Sequence, residues 1–310
     1  MELVIVGLIA AGIRLSISIA FAALGEVVSQ RAGVMNVGLE GIMLLSAFLS
    51  ALFAVYTGNP WFGVLAAIVG GLMLGALHAY FSVVLGANQI VSGLALVVLG
   101  AGLSGFGYRL TIGASPVSVP AFSALDFGTL TAIPYVGPII FGQNALVYIA
   151  VIIAFALFYF LTRTSFGLEL RACGEAPAAA DAAGVRVNTY RFVAVMFGGA
   201  MAGMGGAFLV LGQVHAFVEG MVAGRGFIAI ACVVFGAWHP LGVLAACLAF
   251  GFTDALQIRL QTWYPGVPYQ FFVTLPYVLA LLTLVFFASR SVGPAGLGEP
   301  FRSLRRHLRA

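Results

Sequence analysis

The residues of this chain that could do chemistry are few, and several of them lie in one short segment. Segment 169–184, ELRACGEAPAAADAAG, carries Glu169, Arg171, Glu175 and Asp181, four of the 14 basic and 10 acidic residues among 310. Alanine is frequent between them, which favours a helix. Charge on a helix of this kind is suited to ion pairs and hydrogen bonds with a soluble protein. We therefore predict that 169–184 is a helical docking surface.

A second set of polar residues interrupts an apolar run near the N-terminus. Asn36 and Glu40 lie in segment 25–46, GEVVSQRAGVMNVGLEGIMLLS, whose glycines let helices approach each other closely. An ionisable side chain in apolar surroundings is costly and marks a functional site by default. Glu40 has a second interpretation, in which it lies at a membrane surface and caps a helix or pairs with Arg31. The sequence leaves both interpretations open.

A third set opens another apolar run. Asn88, Gln89 and Ser92 offer amide and hydroxyl groups that could meet a hydroxyl-bearing ligand, or form a short turn between helices. Pairing at the ends of loops is the simplest interpretation of a further polar group, which consists of Glu219, Arg225, Asp254, Gln257 and Arg259.

Several kinds of chemistry are excluded. All 14 basic residues are arginine, so neither a phosphate-binding loop with its lysine nor a Schiff base is available. The sequence contains no nucleophile and base at a recognisable spacing, and its Cys and His residues lack the spacing of metal ligands or disulfides. We predict no catalytic residue, no metal and no cofactor in this chain.

The elements that position these residues are membrane helices. The chain is 62% hydrophobic and 8% charged, whereas soluble domains carry roughly 25% charge. A span needs ~20 apolar residues. The sequence predicts one all-α, polytopic membrane domain over 1–310, with 8–10 spans. Nine apolar runs can be counted, at 3–23, 34–56, 61–85, 90–110, 142–162, 190–212, 226–238, 241–260 and 271–288.

Arginine indicates the orientation of these spans. Four arginines lie in or beside the charged segment, and five more follow the last run in an Arg-rich tail, 290–310. This pattern is typical of cytoplasmic regions and does not indicate nucleic acid binding. Residues 111–141 then lie outside, and so does the N-terminus if the first two runs each cross once. If 34–56 is broken or re-entrant, the N-terminus lies inside. The run from Leu3 follows no basic region, so we predict a retained span and not a signal peptide.

The sequence also contains a candidate internal repeat. GVLAA at 63–67 recurs at 242–246, an offset of 179 residues, and the same offset places Glu40-Gly41 on Glu219-Gly220. The match would relate 3–110 to 190–288 as an inverted repeat, an arrangement common in transporters. Chance recurrence in a chain rich in Ala, Gly, Leu and Val is the alternative.

Four ordered motifs resemble one family. GEVVSQRAGVMNVGLEGIMLLSAF (25–48) resembles the signature of permease subunits of bacterial ABC importers for nucleosides and simple sugars, within the superfamily of ribose and branched-chain amino acid permeases. GANQIVSGLAL (86–96), SFGLELRACGEAPAAADAAGV (165–185) and the stretch 219–261 extend the resemblance. The chain is similar to the shorter of the two paralogous permeases that such importers use.

The resemblance implies partners and a location. It implies an ABC ATPase, a second paralogous permease as heterodimer partner, a substrate-binding protein or lipoprotein, and the lipid of the bacterial inner membrane, with a cytoplasmic C-terminus. It also implies that 169–184 is the coupling helix seated in the ATPase. The residues at its pattern positions are Glu169, Arg171, Gly174, Glu175, Ala179 and Gly184. Family members often carry a charge where this chain has Ala178 and Ala179.

Two classes of function remain. The first is an ATP-driven importer, most simply of nucleosides and alternatively of sugars such as ribose. The second is an ion-coupled secondary transporter with its ion site at Glu40, Glu219 or Asp254. For a nucleoside, the solute path would combine hydrogen-bonding groups with an aromatic face. Asn36, Glu40, Asn88, Gln89 and Ser92 are candidates for the polar part of the path, and Phe227 for the aromatic part.

Overall fold

The structure, a computed structural model, describes residues 2–111, 113, 118–131, 133–287 and 292–302. Part of the predicted tail, including Arg290, Arg305, Arg306 and Arg309, lies outside the described residues. The described part is helical and contains no β-strand, which confirms the predicted fold class. Its helices are α1 Glu2–Arg31, α2 Leu39–Thr57, α3 Pro60–Ala79, α4 Gln89–Thr111, α5 Ala145–Arg163, α6 Ser165–Glu175, α7 Pro177–Ala182, α8 Val187–Phe208, α9 Arg225–Phe235, α10 Pro240–Trp263, α11 Tyr269–Val273 and α12 Leu275–Phe287.

Seven of the described helices are long and apolar enough to cross a membrane. They are α1, α2, α4, α5 and α10 together with α3 and α8, which π-helical turns extend to Val84 and Val214. The predicted count of nine spans is not confirmed. The run 226–238 forms α9, whose 11 residues reach about 16 Å, against the ~30 Å of a bilayer core.

α1 and α8 form the centre of the bundle. α1 packs most extensively against α10, and α3 against α8, while α1 and α8 also contact each other. The close approach of α3 and α8 depends on glycine. A Cβ on Gly71 would lie 2.2 Å from the carbonyl oxygen of Gly199, and one on Gly199 would lie 2.3 Å from that of Gly71. Larger side chains would separate the two backbones.

The helix order supports the candidate repeat. The offset of 179 places 60–84 on 239–263, and α10 is Pro240–Trp263. The main helix contacts agree with this offset. It maps α1 onto α8 and α3 onto α10, so the α1–α10 contact corresponds to the α8–α3 contact. The two Glu-Gly pairs differ, however: Glu40 lies in the first turn of α2, whereas Glu219 lies in the non-helical segment before α9.

The prediction of one helix over 169–184 is wrong in its bounds. The structure has two helices, α6 and α7, separated at Ala176, which has φ −143° and ψ 71°. Pro177 is the reason, since the residue before a proline is driven out of the α region while proline suits the first position of a helix. α6 begins earlier than predicted, at Ser165, because the Thr164 hydroxyl accepts a hydrogen bond of 3.0 Å from the Gly167 N–H.

Candidate coupling and translocation site

α6 and α7 form an exposed element between the long helices α5 and α8. Leu170, Cys173 and Ala180 are buried against the bundle, while the opposite side, which includes Ala178 and Ala179, is exposed. Burial raises the pKa of the Cys173 thiol to about 11, so this thiol is neutral at physiological pH. The element is therefore fixed to the bundle through one face and presents the other to its surroundings.

A groove of about 570 Å³ lies between this element and the start of α8. Glu169, Gly184, Arg186 and Tyr190 are among its lining residues. The Tyr190 hydroxyl donates a hydrogen bond to the Glu169 carboxylate, which fixes that side chain at the groove wall. The groove thus offers both charge and apolar surface to a soluble partner.

The other predicted coupling residues differ in exposure. Arg171 is half-buried, and its Nε donates to the Gly167 carbonyl oxygen at 3.4 Å. Gly174 is buried, and a Cβ there would lie 2.2 Å from the carbonyl oxygen of Arg31. Glu175 has a side chain 52% exposed and lies 3.9 Å from Arg31 Nη1. Gly174 and Glu175 therefore join α6 to the end of α1.

The loop that follows α1, residues 32–38, is held by a buried carboxyl group. Asn36 is fully buried; its N–H donates to Glu26 Oε1 at 2.9 Å, and its own Oδ1 accepts from the Gly38 N–H at 3.0 Å. Gln30 Nε2 also donates to Glu26 Oε1, at 2.8 Å, while Gln30 Oε1 accepts from Trp238 Nε1 at 2.7 Å. Sequence reasoning did not identify Glu26 as part of the site. The signal available was its spacing of four residues from Gln30 within an apolar helix.

Glu40 caps a helix, which was one of its two predicted interpretations, but that helix is α9. Its Oε1 accepts from the Gly224 N–H at 2.7 Å, and its Oε2 accepts from the Gly226 N–H at 2.8 Å. The positive end of the α9 dipole stabilises the carboxylate. The other end of α9 lies near Trp238, whose carbonyl oxygen accepts from Arg31 Nε at 3.0 Å. Glu40 is therefore about 16 Å along α9 from the α6–α7 end of the bundle.

The third predicted set holds the same loop from the other side. Gln89 Oε1 accepts a hydrogen bond of 2.8 Å from the Met35 N–H. Ser92 Oγ lies 3.2 Å from His78 Nδ1, and His78 Nε2 lies 3.1 Å from the Met35 carbonyl oxygen. Asn88 instead caps α4, because its Oδ1 accepts from the Ile90 and Val91 N–H groups. Asn36, Gln89 and Ser92 are thus brought together around one loop, and His78 joins them without having been predicted.

Phe227 lies in the first turn of α9, one residue after Gly226, and its side chain is 43% exposed. Phe227 is therefore next in sequence to a residue that contacts Glu40, and among the described residues its ring stacks on no other aromatic ring.

The remaining charges near α9 are paired. Arg225 Nη2 lies 3.6 Å from Asp254 Oδ2. At the end of the bundle opposite to α6–α7, Arg109 Nε and Nη2 donate to the two carboxylate oxygens of Glu219, each at 2.8 Å. These hydrogen bonds lower the pKa of the Glu219 carboxyl. Among the described residues, no three His, Cys, Asp or Glu side chains are grouped so that they could hold a metal ion.

Comparisons with known proteins agree with the motifs. A family model described as branched-chain amino acid transport system / permease component matches residues 8–289. The guanosine ABC transporter permease protein NupQ of Bacillus subtilis is 37% identical over 290 residues, which cover 90% of this chain and 91% of that protein. The nucleoside ABC transporter permease protein NupC of Lactococcus lactis subsp. cremoris is 34% identical over 289 residues, 90% and 91% of the two chains.

A relative that is named for a different solute has a similar identity over a shorter match. The putative glucose ABC transporter permease protein TsgC13 of Haloferax volcanii is 39% identical over 260 residues, 83% of this chain and 78% of that protein. No solved structure matches the chain significantly. With nearly the whole chain matched by the family model and most of it by these relatives, the protein belongs to the branched-chain amino acid transport system permease family and is a permease component of an ABC transporter.

Proposed function

We propose that this chain is a membrane-spanning subunit of an ATP-driven importer of nucleosides. The observation that carries the proposal is the exposed α6–α7 element between long apolar helices, in a chain 37% identical to a guanosine permease over 90% of its length. ATP hydrolysis takes place on a separate ATPase, and this subunit contributes the path and the coupling element but no catalysis.

The ATPase contacts the exposed side of α6–α7 and the groove beside it. Glu169 and Gly184 line that groove, and Glu175 and Ala179 are exposed next to it. Arg171 and Gly174 support the element from beneath, because Arg171 is half-buried and Gly174 is buried. A binding protein delivers the solute at the opposite end of the bundle, and a paralogous permease completes the pair of membrane subunits.

This assignment orients the chain in the bacterial inner membrane. The ATPase is cytoplasmic, so the α6–α7 end is cytoplasmic too. Arg31, at the end of α1, lies beside Glu175, so α1 crosses towards the cytoplasm and the N-terminus lies outside. Residues 293–302 also pack against α6, as Gly296 donates to the Gly174 carbonyl oxygen at 2.8 Å. The C-terminal side of the chain is therefore cytoplasmic.

The solute path runs past the 32–38 loop and the start of α9. The 32–38 loop is non-helical, and α9 begins within the bundle. Irregular backbone at membrane depth is tolerated where it is enclosed by protein or lines a polar path. Asn36, Gln89 and Ser92 position the loop, Glu40 joins it to α9, and Phe227 supplies an aromatic ring.

Import of simple sugars is the second candidate, and the similarity to the putative glucose permease TsgC13 supports it. An ion-coupled carrier is less well supported. The carboxylates of Glu40, Glu219 and Asp254 already contact backbone N–H groups or arginines, and such a carrier does not need the α6–α7 element.

The test is uptake by the complex reconstituted in proteoliposomes with its ATPase and binding protein. Radiolabelled guanosine is expected to enter when ATP is supplied, even after an ionophore has removed all ion gradients. An excess of unlabelled glucose or ribose should leave guanosine uptake unchanged. Competition by the sugar would indicate the sugar importer instead, and loss of uptake with the ionophore in the presence of ATP would indicate an ion-coupled carrier.

A further inference from the structure

The C-terminal segment, residues 293–302, joins two parts of the molecule that are distant in sequence. The Gly296 N–H donates to the Gly174 carbonyl oxygen of α6 at 2.8 Å, and the Ala295 N–H donates to Glu175 Oε2 at 3.3 Å. The Gly298 N–H donates to the Gly33 carbonyl oxygen at 3.2 Å. The C-terminal segment thus contacts the end of α6 and the 32–38 loop together.

Arg191 lies under this contact. Arg191 belongs to the second turn of α8, and only 2% of its surface is exposed. Its guanidinium donates three hydrogen bonds, all to backbone carbonyl oxygens: Nη1 to Glu299 at 2.7 Å, and Nη2 to Cys173 at 3.2 Å and Gly296 at 3.4 Å. Cys173 belongs to the last turn of α6, where the negative end of the helix dipole favours a cation. A buried charge without such contacts would be costly.

Glycines make the close approach of these segments possible. Gly33 has φ +95°, and a Cβ on it would lie 2.6 Å from Arg191 Nη2. A Cβ on Gly296 would lie 2.9 Å from the Gly174 carbonyl oxygen. Side chains at these positions would separate α6, the 32–38 loop and the C-terminal segment, all of which meet at Arg191.

We propose that Arg191 is a positioning residue for energy coupling: with the C-terminal segment, it locks the end of α6 to the 32–38 loop, so that movement of α6 moves the loop. The inference rests on the proposed function, in which the ATPase drives α6–α7. It adds a specific route from that element to the path, through a residue outside the exposed docking surface. Planar guanidinium geometry suits this role, because one side chain reaches three carbonyl oxygens in two segments, α6 and the C-terminal segment.

The test compares variants in the full importer complex in proteoliposomes, with the solute that the wild-type complex imports. Two quantities are measured: the amount of ATPase that co-purifies, and the solute imported per ATP hydrolysed. Arg191→Met should leave co-purification unchanged and lower the import-to-hydrolysis ratio by about fivefold or more. Arg191→Lys keeps the charge but reaches fewer carbonyls. Its import-to-hydrolysis ratio should therefore lie between those of Arg191→Met and the wild type. Arg163→Met, which removes an exposed arginine at the end of α5, is the control and should match the wild type.

A second variant covers the case in which Arg191→Met does not assemble. Gly296→Val leaves Arg191 intact but forces the C-terminal segment away from Gly174, and it should lower the ratio in the same way. A wild-type ratio in either assembled variant overturns the proposal, and so does loss of assembly in both, which would make the role purely structural. An equal drop in Arg163→Met would overturn it as well. If the proposed solute is wrong, the wild-type complex already fails to import it. If the proposed role of Arg191 is wrong, the wild-type complex imports its solute normally and only the variants depart from expectation.

Discussion

The Glu40 carboxylate accepts a hydrogen bond of 2.8 Å from the backbone N–H of Gly226, a residue 186 positions later in the chain. The contact joins the first turn of α2 to the first turn of α9, and therefore the two halves of the candidate repeat. Glycine is required at 226, because a Cβ there would lie 2.4 Å from the backbone nitrogen of Glu40. A movement that separates α2 from α9 must break this contact.

Replacement of Glu40 should therefore destabilise the subunit. Glu40→Ala leaves two partly buried N–H groups, those of Gly224 and Gly226, without their acceptor, and should lower the free energy of unfolding by about 1–3 kcal/mol. Glu40→Gln retains an acceptor oxygen and should cost less. Denaturant titration of the purified complex in detergent measures the change. Glu219→Ala removes a carboxylate from an exposed pair and serves as the control, with little change expected. Equal stability of Glu40→Ala and the wild type would contradict the capping role.

The sequence predicts the elements of this site better than their contacts. The charge and alanine content of 169–184 predict helix there, and the structure has helix in this region, but Pro177 divides it into two helices. The restriction on the residue before proline predicts that break. The run 226–238 was counted as a span although 13 residues are too short to cross a bilayer. Both errors concern local rules that the sequence itself contains.

The partners of Glu26 and Glu40 are a different case. Asn36 contacts Glu26 across the turn after α1, and Gly224 contacts Glu40 from 184 positions away. No periodicity or composition relates these residues, since tertiary packing alone brings α9 to α2. Glu40 could be singled out as a costly charge in apolar surroundings, but its role as the cap of a distant helix required the structure.

The seating of α6 on α1 gives a second prediction. Gly174→Ala should reduce the ATPase that co-purifies with the permease, because the new Cβ would lie 2.2 Å from the Arg31 carbonyl oxygen and push α6 outwards. Gly102→Ala on α4 is the control, since in the described part of the chain no heavy atom beyond the neighbouring backbone of α4 lies within 4 Å of the position of its Cβ. Quantitative co-purification from membranes compares the two at equal permease levels. Unreduced recovery with Gly174→Ala would show that α6 does not need this close contact.

The charge of Glu175 gives a third prediction, which separates an internal role from a docking role. Glu175→Arg should reduce solute-coupled ATP hydrolysis, both by placing a cation beside Arg31 and by reversing a charge that is 52% exposed. The double variant Arg31→Glu, Glu175→Arg restores the internal pairing in the opposite order. Hydrolysis by the assembled complex, with and without the loaded binding protein, is the measurement.

If the ATPase contacts Glu175, the double variant should remain impaired. Recovery of coupled hydrolysis in the double variant would instead show that Glu175 acts only within the chain, through Arg31. Ala178→Arg, which adds the same charge to the exposed side of α7, controls for charge alone. Coupling unchanged in Glu175→Arg itself would exclude this residue from the docking surface.

The last prediction concerns the solute path. Asn36→Ala, Gln89→Ala and Ser92→Ala should each slow uptake by about 2- to 10-fold, the effect of losing one hydrogen bond of about 0.5–1.5 kcal/mol. Each variant frees the 32–38 loop at a different point: Gln89 holds the Met35 N–H, Ser92 contacts His78, and Asn36 holds the Gly38 N–H. ATPase co-purification should stay at the wild-type level because none of the three lies in α6 or α7.

Asn88→Ala is the matched control: Asn88 is an exposed cap of α4 next to Gln89 in sequence, and its loss should leave uptake nearly unchanged. Initial rates of uptake into proteoliposomes, normalised to assembled complex, decide the matter. Wild-type rates in all three variants would place the path away from this loop, whereas an equal loss in Asn88→Ala would show that the start of α4, and not the loop, is what uptake requires.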